Sequence, residues 1–464
     1  MVKKTLTAVI VTLFYITANS QEINSIVTRQ GNDDNKSHYQ LTTTPKLVVD
    51  GESVKVVVGE TEKETFDIST DELNVLFGSV INDNVVAENI TGSYPVIIGE
   101  NSILTVTGTI TNPDPANLVI EDGAQLIVNN SGVKATVEKN IVPYGSKGGK
   151  GWHFLAAPMT DFAVTSFINQ ANGNYDLYKY VIDETPIWYN YKAHTDEFEP
   201  NFVSGRGYLA AYKTNDLLKM QGTLNAGTTF NFTNELNSNG NFTLLGNPFT
   251  YDLNWSEFNT KTGIYDGFAV VDSEDGIIKY AVGTTPIKVG TGFMVYTNGE
   301  NATLSFTKDS GSGKSNDILA LNLFANNGNG EDNTIIVIDD ENGGFAKADN
   351  FNTNVPQIYT ERLQTKYGIR NFNTSTKEFN VSFKAVGEGS NTIRLETIGE
   401  FEYVHLYDKL LDVDVDMLLE GSYTFEASED DDTHRFIVRI DKGNTGIDEN
   451  DNESDNISYS FWID

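Results

Sequence analysis

Five histidines, 65 acidic residues and no cysteine bound the chemistry open to this 464-residue chain. The histidines are His38, His153, His194, His405 and His434. None falls in a His-x-x-x-His or His-Glu-x-x-His spacing, so the helical pair that holds zinc in many metalloproteases is missing. Without cysteine there is no thiolate nucleophile, no disulfide and no cysteine-ligated zinc or iron–sulfur site. No Gly-x-Ser-x-Gly run sets a serine between a strand and a helix. Gly311-Ser312-Gly313-Lys314-Ser315 imitates the end of a phosphate loop, but Lys308 stands where the first glycine belongs, and the run reads as a linker.

Acids are so abundant that a carboxylate pair with glycosidase spacing cannot be singled out. A hard cation is a sharper question, because calcium takes several oxygens from carboxylates and carbonyls at loop turns. Asp412-Val413-Asp414-Val415-Asp416 puts three carboxylates on one face of an extended segment, and Asp412, Asp414 and Asp416 are the calcium candidates. The run lacks the glycine and distal glutamate of an EF-hand loop, and it reads equally as a solvated acidic face. Asp339 to Gly343 and Glu429 to Asp432 are further acidic loops. No other cofactor is expected. Trp188, Tyr189 and Tyr191, close to Tyr175, Tyr178 and Tyr180, offer rings on which sugar faces could stack. The same rings could instead fill a core.

The elements that must position these residues are strands. Phe (26) and Tyr (21) are frequent, Gly reaches 40, and apolar content is 39%. The length suits about three domains. Lys and Arg total 32, for a net charge of −33, which argues against nucleic acid and anionic membranes as partners. At the N-terminus, Lys3 and Lys4 precede an apolar run from Leu6 to Ile16. Ala18-Asn19-Ser20 follows, as in a signal peptide of residues 1–20 cut after Ser20. The mature chain then carries no membrane-spanning run.

Residues 21–92 read as a leader and short β region. It includes an Asp50-Gly51 hairpin and a short helix starting near Ser69-Thr70-Asp71-Glu72. From 93 to 143, apolar runs (Val96-Ile97-Ile98, Ile103 to Val106, Leu118-Val119-Ile120, Leu126-Ile127-Val128) recur between Asn and Gly corners. They suit a β-solenoid or a sandwich.

Residues 150–307 contain one unit written twice. Trp152 to Pro158 matches Phe242 to Pro248, and Gly205-Arg206-Gly207 with its apolar strand matches Gly290-Thr291-Gly292 with its own. The copies span about 150–215 and 240–300. Residues 316–441 hold eight expected strands of a β-sandwich or jelly-roll-like domain, and 442–464 form an acidic tail. The fold class is therefore all-β.

Asn117 to Leu126, Val133 to Lys139 and Gly151 to Pro158 resemble a group of exported surface proteins of Bacteroidetes-type bacteria. So does the closing series Leu406-Tyr407-Asp408-Lys409, Gly421-Ser422-Tyr423-Thr424-Phe425 and Arg435-Phe436. The resemblance covers roughly residues 95–440. In that group the last β domain usually precedes a sorting domain for type IX secretion. The present sequence stops where such a domain would start, which implies a truncated chain or another route of release or retention. The resemblance transfers no catalytic residue. The expectation is a non-enzymatic cell-surface or secreted protein with a structural or adhesive role, its partners surface glycans or other envelope proteins. The alternative is a glycan-binding or glycan-processing accessory protein.

Overall fold

The computed structural model describes residues 25–30, 36–40, 46–50, 53–58, 60–67, 73–91, 95–144, 149–181, 188–214, 216–236, 241–299, 301–308, 318–339 and 343–441. The expected signal peptide, the Gly311–Ser315 run and the acidic tail lie outside them. The chain divides into two compact units. One comprises Met1–Asn316 with Ala348–Thr353, the other Asp317–Lys347 with Asn354–Asp464. Both are built of strands; the α-helices among the described residues are Val164–Gln170 and the single turn Met417–Glu420.

In the first unit the expected helix start, residues 69–72, lies outside the described residues, and the segments on either side of it, Thr61–Asp67 and Leu73–Ile81, are strands. Thr61–Asp67 completes a meander with Lys46–Asp50 and Ser53–Val58, in which Val54 faces Phe66 and both are buried.

The solenoid is present and starts earlier than residue 93. Leu73–Ile81, Val96–Ile98, Leu118–Ile120 and Lys134–Asn140 stack in parallel, with Val80 beside Ile97, Ile97 beside Val119 and Val119 beside Thr136. A second side stacks Val85–Ala87, Ile103–Val106 and Gln125–Val128, and a third pairs Ile90–Thr91 with Ile110–Thr111. Leu104 lies on Leu126 and Ile98 on Ile120, all fully buried. Val96–Ile98 and Leu118–Ile120 are apolar without alternation because both faces are covered. Ile97 and Val119 form a small cluster with Val80 on the side away from the main core.

Asparagines stitch the corners. Asn89 Oδ1 accepts from Thr109 N at 2.9 Å, Asn84 Oδ1 from Ile103 N at 3.0 Å, and Asn130 Oδ1 from Ile110 N at 3.0 Å. At one end Lys134–Asn140 continues into the antiparallel strand Leu217–Thr223. The outer edge of that strand is occupied: Gln170 accepts from Lys219 N and donates to Lys219 O, and Asp161 accepts from Thr223 N. An edge so covered offers no template for another chain.

The duplication is visible in topology. In the first copy the strands His153–Leu155, Tyr208–Tyr212, Tyr175–Tyr180 and Trp188–Asn190 are neighbours in that order. In the second copy Phe242–Gly246, Gly292–Tyr296, Phe268–Asp272 and Ile277–Ala281 repeat it, all antiparallel.

The second unit is β-sandwich-like but made from one continuous sheet of eleven strands, closed around a single core. Two strands escaped the sequence reading, Gly343–Ala346 and Thr365–Phe372, and the extended acidic segment is a strand of the same sheet, Val413–Asp416. The last ends the sheet on one side and Ser422–Ala427 on the other, with the helical turn Met417–Glu420 between them. Among the described helices, none is long and apolar enough to cross a membrane.

Candidate functional site

The Gly-x-Gly turns prove to be where the two copies cross. Arg206 bridges to Leu245 and Thr291 to Leu155, which are equivalent positions in the repeat. Gly246 N donates to Gly205 O at 2.9 Å, and Ala156 N donates to Gly290 O at 3.0 Å. Each copy's turn thus clasps the end of the other copy's first strand, as a local two-fold axis demands. The glycines follow from the closeness of this crossing. A Cβ on Gly207 would collide with Leu245 O, and one on Gly246 would lie 2.5 Å from Ala156 Cβ. The middle residue is free to differ, and in the first copy it is charged. Arg206 donates to Glu199 at 2.6 Å and to Glu235 at 2.8 Å. Burial works against its charge, but the two carboxylates more than offset this and hold its pKa above the ordinary arginine value.

His153 joins the two copies in another way. Its Nε2 accepts from Val142 N at 3.0 Å, which leaves Nδ1–H to donate to Ser273 Oγ at 2.8 Å. Burial pushes its pKa down to about 4, so the ring is neutral at neutral pH. Tyr208 is pushed up to about 12 by burial, and its hydroxyl accepts from Val203 N. Tyr212 is also raised by burial, and donates to Phe167 O at 2.6 Å. These groups are tied into backbone and are not poised for proton transfer at neutral pH.

Trp188, Tyr189 and Tyr191 do not share a platform. Trp188 pairs with Tyr180, and the two rings meet edge to face at 5.0 Å. Tyr178 is on that same sheet face by the two-residue alternation, and Trp152 packs its edge at 5.9 Å. Phe351 stacks on Trp152 at 5.7 Å. Tyr189 and Tyr191 lie on the opposite face, where Tyr189 stacks on His194 and Tyr191 packs against the main core with Phe198. The half-buried row is therefore Trp152, Tyr178, Tyr180 and Trp188.

The three aspartates of the calcium candidate are each engaged by other groups of the protein, and His405 lies within ion-pair distance of both Asp414 and Asp416. Asp412 accepts from Tyr407 Oη at 2.7 Å, and its backbone is left-handed at the hairpin turn. Asp414 lies between His405 Nδ1 (2.6 Å) and Arg439 Nη1 (3.1 Å). Asp416 caps the helical turn by accepting from Leu418 N and Leu419 N. Among the described residues no three His, Asp or Glu side chains group as metal ligands. In the other acidic loops, Asp339 accepts from Asn371, Asp431 from Ser428 N and Asp432 from His434 N. His434 itself is exposed.

Two buried ion pairs of the second unit were not foreseen. Arg435 grips Asp408 with two hydrogen bonds, of 2.8 and 2.7 Å, and both side chains are at most 1% exposed. Tyr423 Oη and Leu410 N donate to the same carboxylate, and Arg435 also donates to Glu426 O. Burial disfavours the Asp408 charge, but Arg435 outweighs it and holds the carboxyl below the ordinary range. Asp408 and Arg435 belong to the sheet's Tyr403–Asp408 side, Tyr423 and Glu426 to its other end strand, so the cluster latches the seam. The second pair is Lys347 with Asp332, at 3.0 Å. An acid or arginine amid apolar strand residues, as in Leu-Tyr-Asp and Arg-Phe-Ile-Val, was the available signal. Compared with family models, curated proteins and solved structures, the chain finds no match.

Proposed function

We propose that the chain is an exported β protein of the bacterial cell surface, related to the Bacteroidetes-type group it resembles, and that it serves as a structural or adhesive module without catalysing a reaction. One observation carries this reading: the side chains best suited to chemistry hold the fold together. His153 and Ser273 join the two copies, Arg206 is clamped between two glutamates, and Asp408 with Arg435 latches a sheet seam. The closing residues of the resemblance (Asp408, Tyr423, Phe425, Arg435) converge on that latch, with Arg435 over the Phe425 ring at 4.5 Å, which gives them a structural reason to occur together.

The test is to tag the full chain in a bacterium of that group. Externally added protease should remove it from intact cells, and a deletion strain should attach less well to a surface. Protection in intact cells combined with unchanged attachment refutes the proposal.

A second reading, glycan binding, is favoured by a difference between the copies. Tyr178, Tyr180 and Trp188 correspond by register to Ala269, Val271 and Ile278. The same scaffold thus carries half-buried rings in one copy and aliphatic side chains in the other. Retention on a glycan array that is lost in Trp188→Ala supports this reading; a blank array ends it.

A further inference from the structure

The edge strand Val413–Asp416 differs from the edge strand Leu217–Thr223 of the first unit. Leu217–Thr223 has its outer edge covered by Gln170 and Asp161, whereas no described strand or side chain bonds the outer edge of Val413–Asp416. The chain around it is unusually apolar for a surface. Of the nine large apolar side chains exposed among the described residues, five fall between positions 410 and 419. They are Leu410 (58%), Leu411, Val413, Leu418 and Leu419 (78%). Leu410 and Leu411 lie in the turn before the strand, and Leu418 and Leu419 in the helical turn after it, so apolar groups bracket both ends of the edge.

The two faces of this strand differ in charge. Asp414 is paired with Tyr407 and Asp416 with His405, on the sheet's outer face. Val413 and Val415 are paired with the buried Asp408 and Leu406 on the other face, where Val415 is half-buried and Val413, at the sheet's rim, stays exposed. A strand added alongside would set alternate residues against aspartates and against valines. A second copy of this chain is a poor occupant, because the two-residue period would place aspartate opposite aspartate. We infer that Val413–Asp416 is a docking edge for a foreign polypeptide segment that alternates basic and apolar residues and adds to the sheet as one more strand. Main-chain hydrogen bonds supply affinity in such an addition, and alternate side chains supply selection. Asp414 already bonds His405 and Arg439, yet each carboxylate oxygen can accept more than one hydrogen bond, so a lysine on its open side still finds an acceptor. The inference stands apart from the proposed surface role and needs neither export nor adhesion.

The probe is an octapeptide of alternating lysine and valine, fluorescently labelled and titrated into the full chain. A glutamate–valine octapeptide and a lysine-block–valine-block octapeptide serve as controls. The alternating basic peptide should bind saturably and more tightly than either control. Asp414→Asn with Asp416→Asn keeps hydrogen-bonding side chains and a good helix cap while removing both charges. It should weaken binding by about tenfold, as expected from losing two partly exposed charge pairs. Leu410→Ser with Leu419→Ser should also weaken it without changing the thermal melt, since both side chains are already in solvent. Absence of saturable binding, equal binding of the block peptide, or indifference to the double asparagine variant overturns the inference. So does a dimer of the wild-type chain that uses this edge. Tighter peptide binding by a chain ending at Asp441 also overturns it, since residues 442–464 would then be the occupant.

Discussion

If the two copies are held by the closeness of their crossing, equivalent glycines should not be equally sensitive. Gly207 and Gly292 are repeat equivalents, and neither has a left-handed backbone, so alanine is conformationally acceptable at both. On the unfolded side alanine stabilises each by about 0.4–1 kcal/mol. The folded side separates them. At Gly207 the new methyl meets a main-chain oxygen, Leu245 O, and sits 2.7 Å from Leu244 Cγ, so a strand must move. Overpacking of that kind costs about 3 kcal/mol, the upper end of the usual range. At Gly292 the nearest atom is Phe154 Cβ at 3.1 Å, and a shift of a few tenths of an ångström relieves it, at about 1 kcal/mol. The net expectation is a loss of about 2–3 kcal/mol for Gly207→Ala against roughly zero for Gly292→Ala. At about 2–4 °C per kcal/mol for a large domain, the first variant should melt roughly 4–12 °C lower. Tryptophan emission is the assay, because Trp152, Trp188 and Trp255 lie in the first unit and only Trp462 lies outside it. Equal melting of the two variants, or greater loss at Gly292, refutes the reasoning.

Other outcomes follow from the same interactions. His153 has a folded pKa near 4 against an ordinary 6.5, so the unfolded chain takes up the proton first as pH falls. Stability of the first unit should be fully present above about pH 6.5 and decline by about 3 kcal/mol on the way down to pH 4. Unfolding titrations of His153→Gln should lack that component; identical pH profiles count against a buried neutral ring. Arg435→Met strands the buried Asp408 carboxylate and should cost the second unit about 3–5 kcal/mol, read by hydrogen exchange in its strands. Adding Asp408→Leu should recover much of that loss, and a double variant as unstable as the single one contradicts the latch. Chelator should leave the melting temperature unchanged, because Asp412, Asp414 and Asp416 are each already engaged by other groups of the protein. A fall of several degrees would revive the calcium site.

What could be read from the sequence was whatever depends on local pattern. The repeat shows in Pro158 and Pro248 and in the paired Gly-x-Gly turns, and the solenoid in runs such as Val96-Ile97-Ile98. What could not be read was pairing at a distance. The short helix expected near residues 69–72 falls outside the described residues, while the strand before it, Thr61–Asp67, is set by Phe66 buried beside Val54 on a neighbouring strand. Thr365–Phe372 was passed over although Lys366, Gly368 and Arg370 alternate with Tyr367 and Ile369, because so few of its residues are apolar and its parallel neighbour Glu331–Ile338 lies about thirty residues away. The aromatic candidates failed as a trio for a simpler reason. Consecutive strand residues point to opposite faces, so Trp188 and Tyr189 could share a surface only if that segment were not a strand. Asp408 and Arg435 were passed over because a charge count treats each acid alike, whereas their roles are set by burial.

A chain without cysteine must fix distant segments by other means, and the ion pairs show what charge can and cannot contribute. A buried pair adds little net stability over apolar residues of the same volume, because desolvation consumes most of the attraction. What distinguishes Asp408–Arg435 is geometry. A planar guanidinium bound through two nitrogens to one carboxylate tolerates one alignment, and Arg435 also donates to Glu426 O on the far side of the seam. A two-residue slip of Ser422–Ala427 would keep its apolar face inward but would carry Tyr423 and Glu426 O away from the latch. Alignment of the seam is therefore set by charge while its stability comes from the apolar core. This predicts that the Arg435→Met, Asp408→Leu pair restores melting temperature more completely than it restores slow hydrogen exchange in Ser422–Ala427. Equal recovery of both would mean that the core alone sets the register.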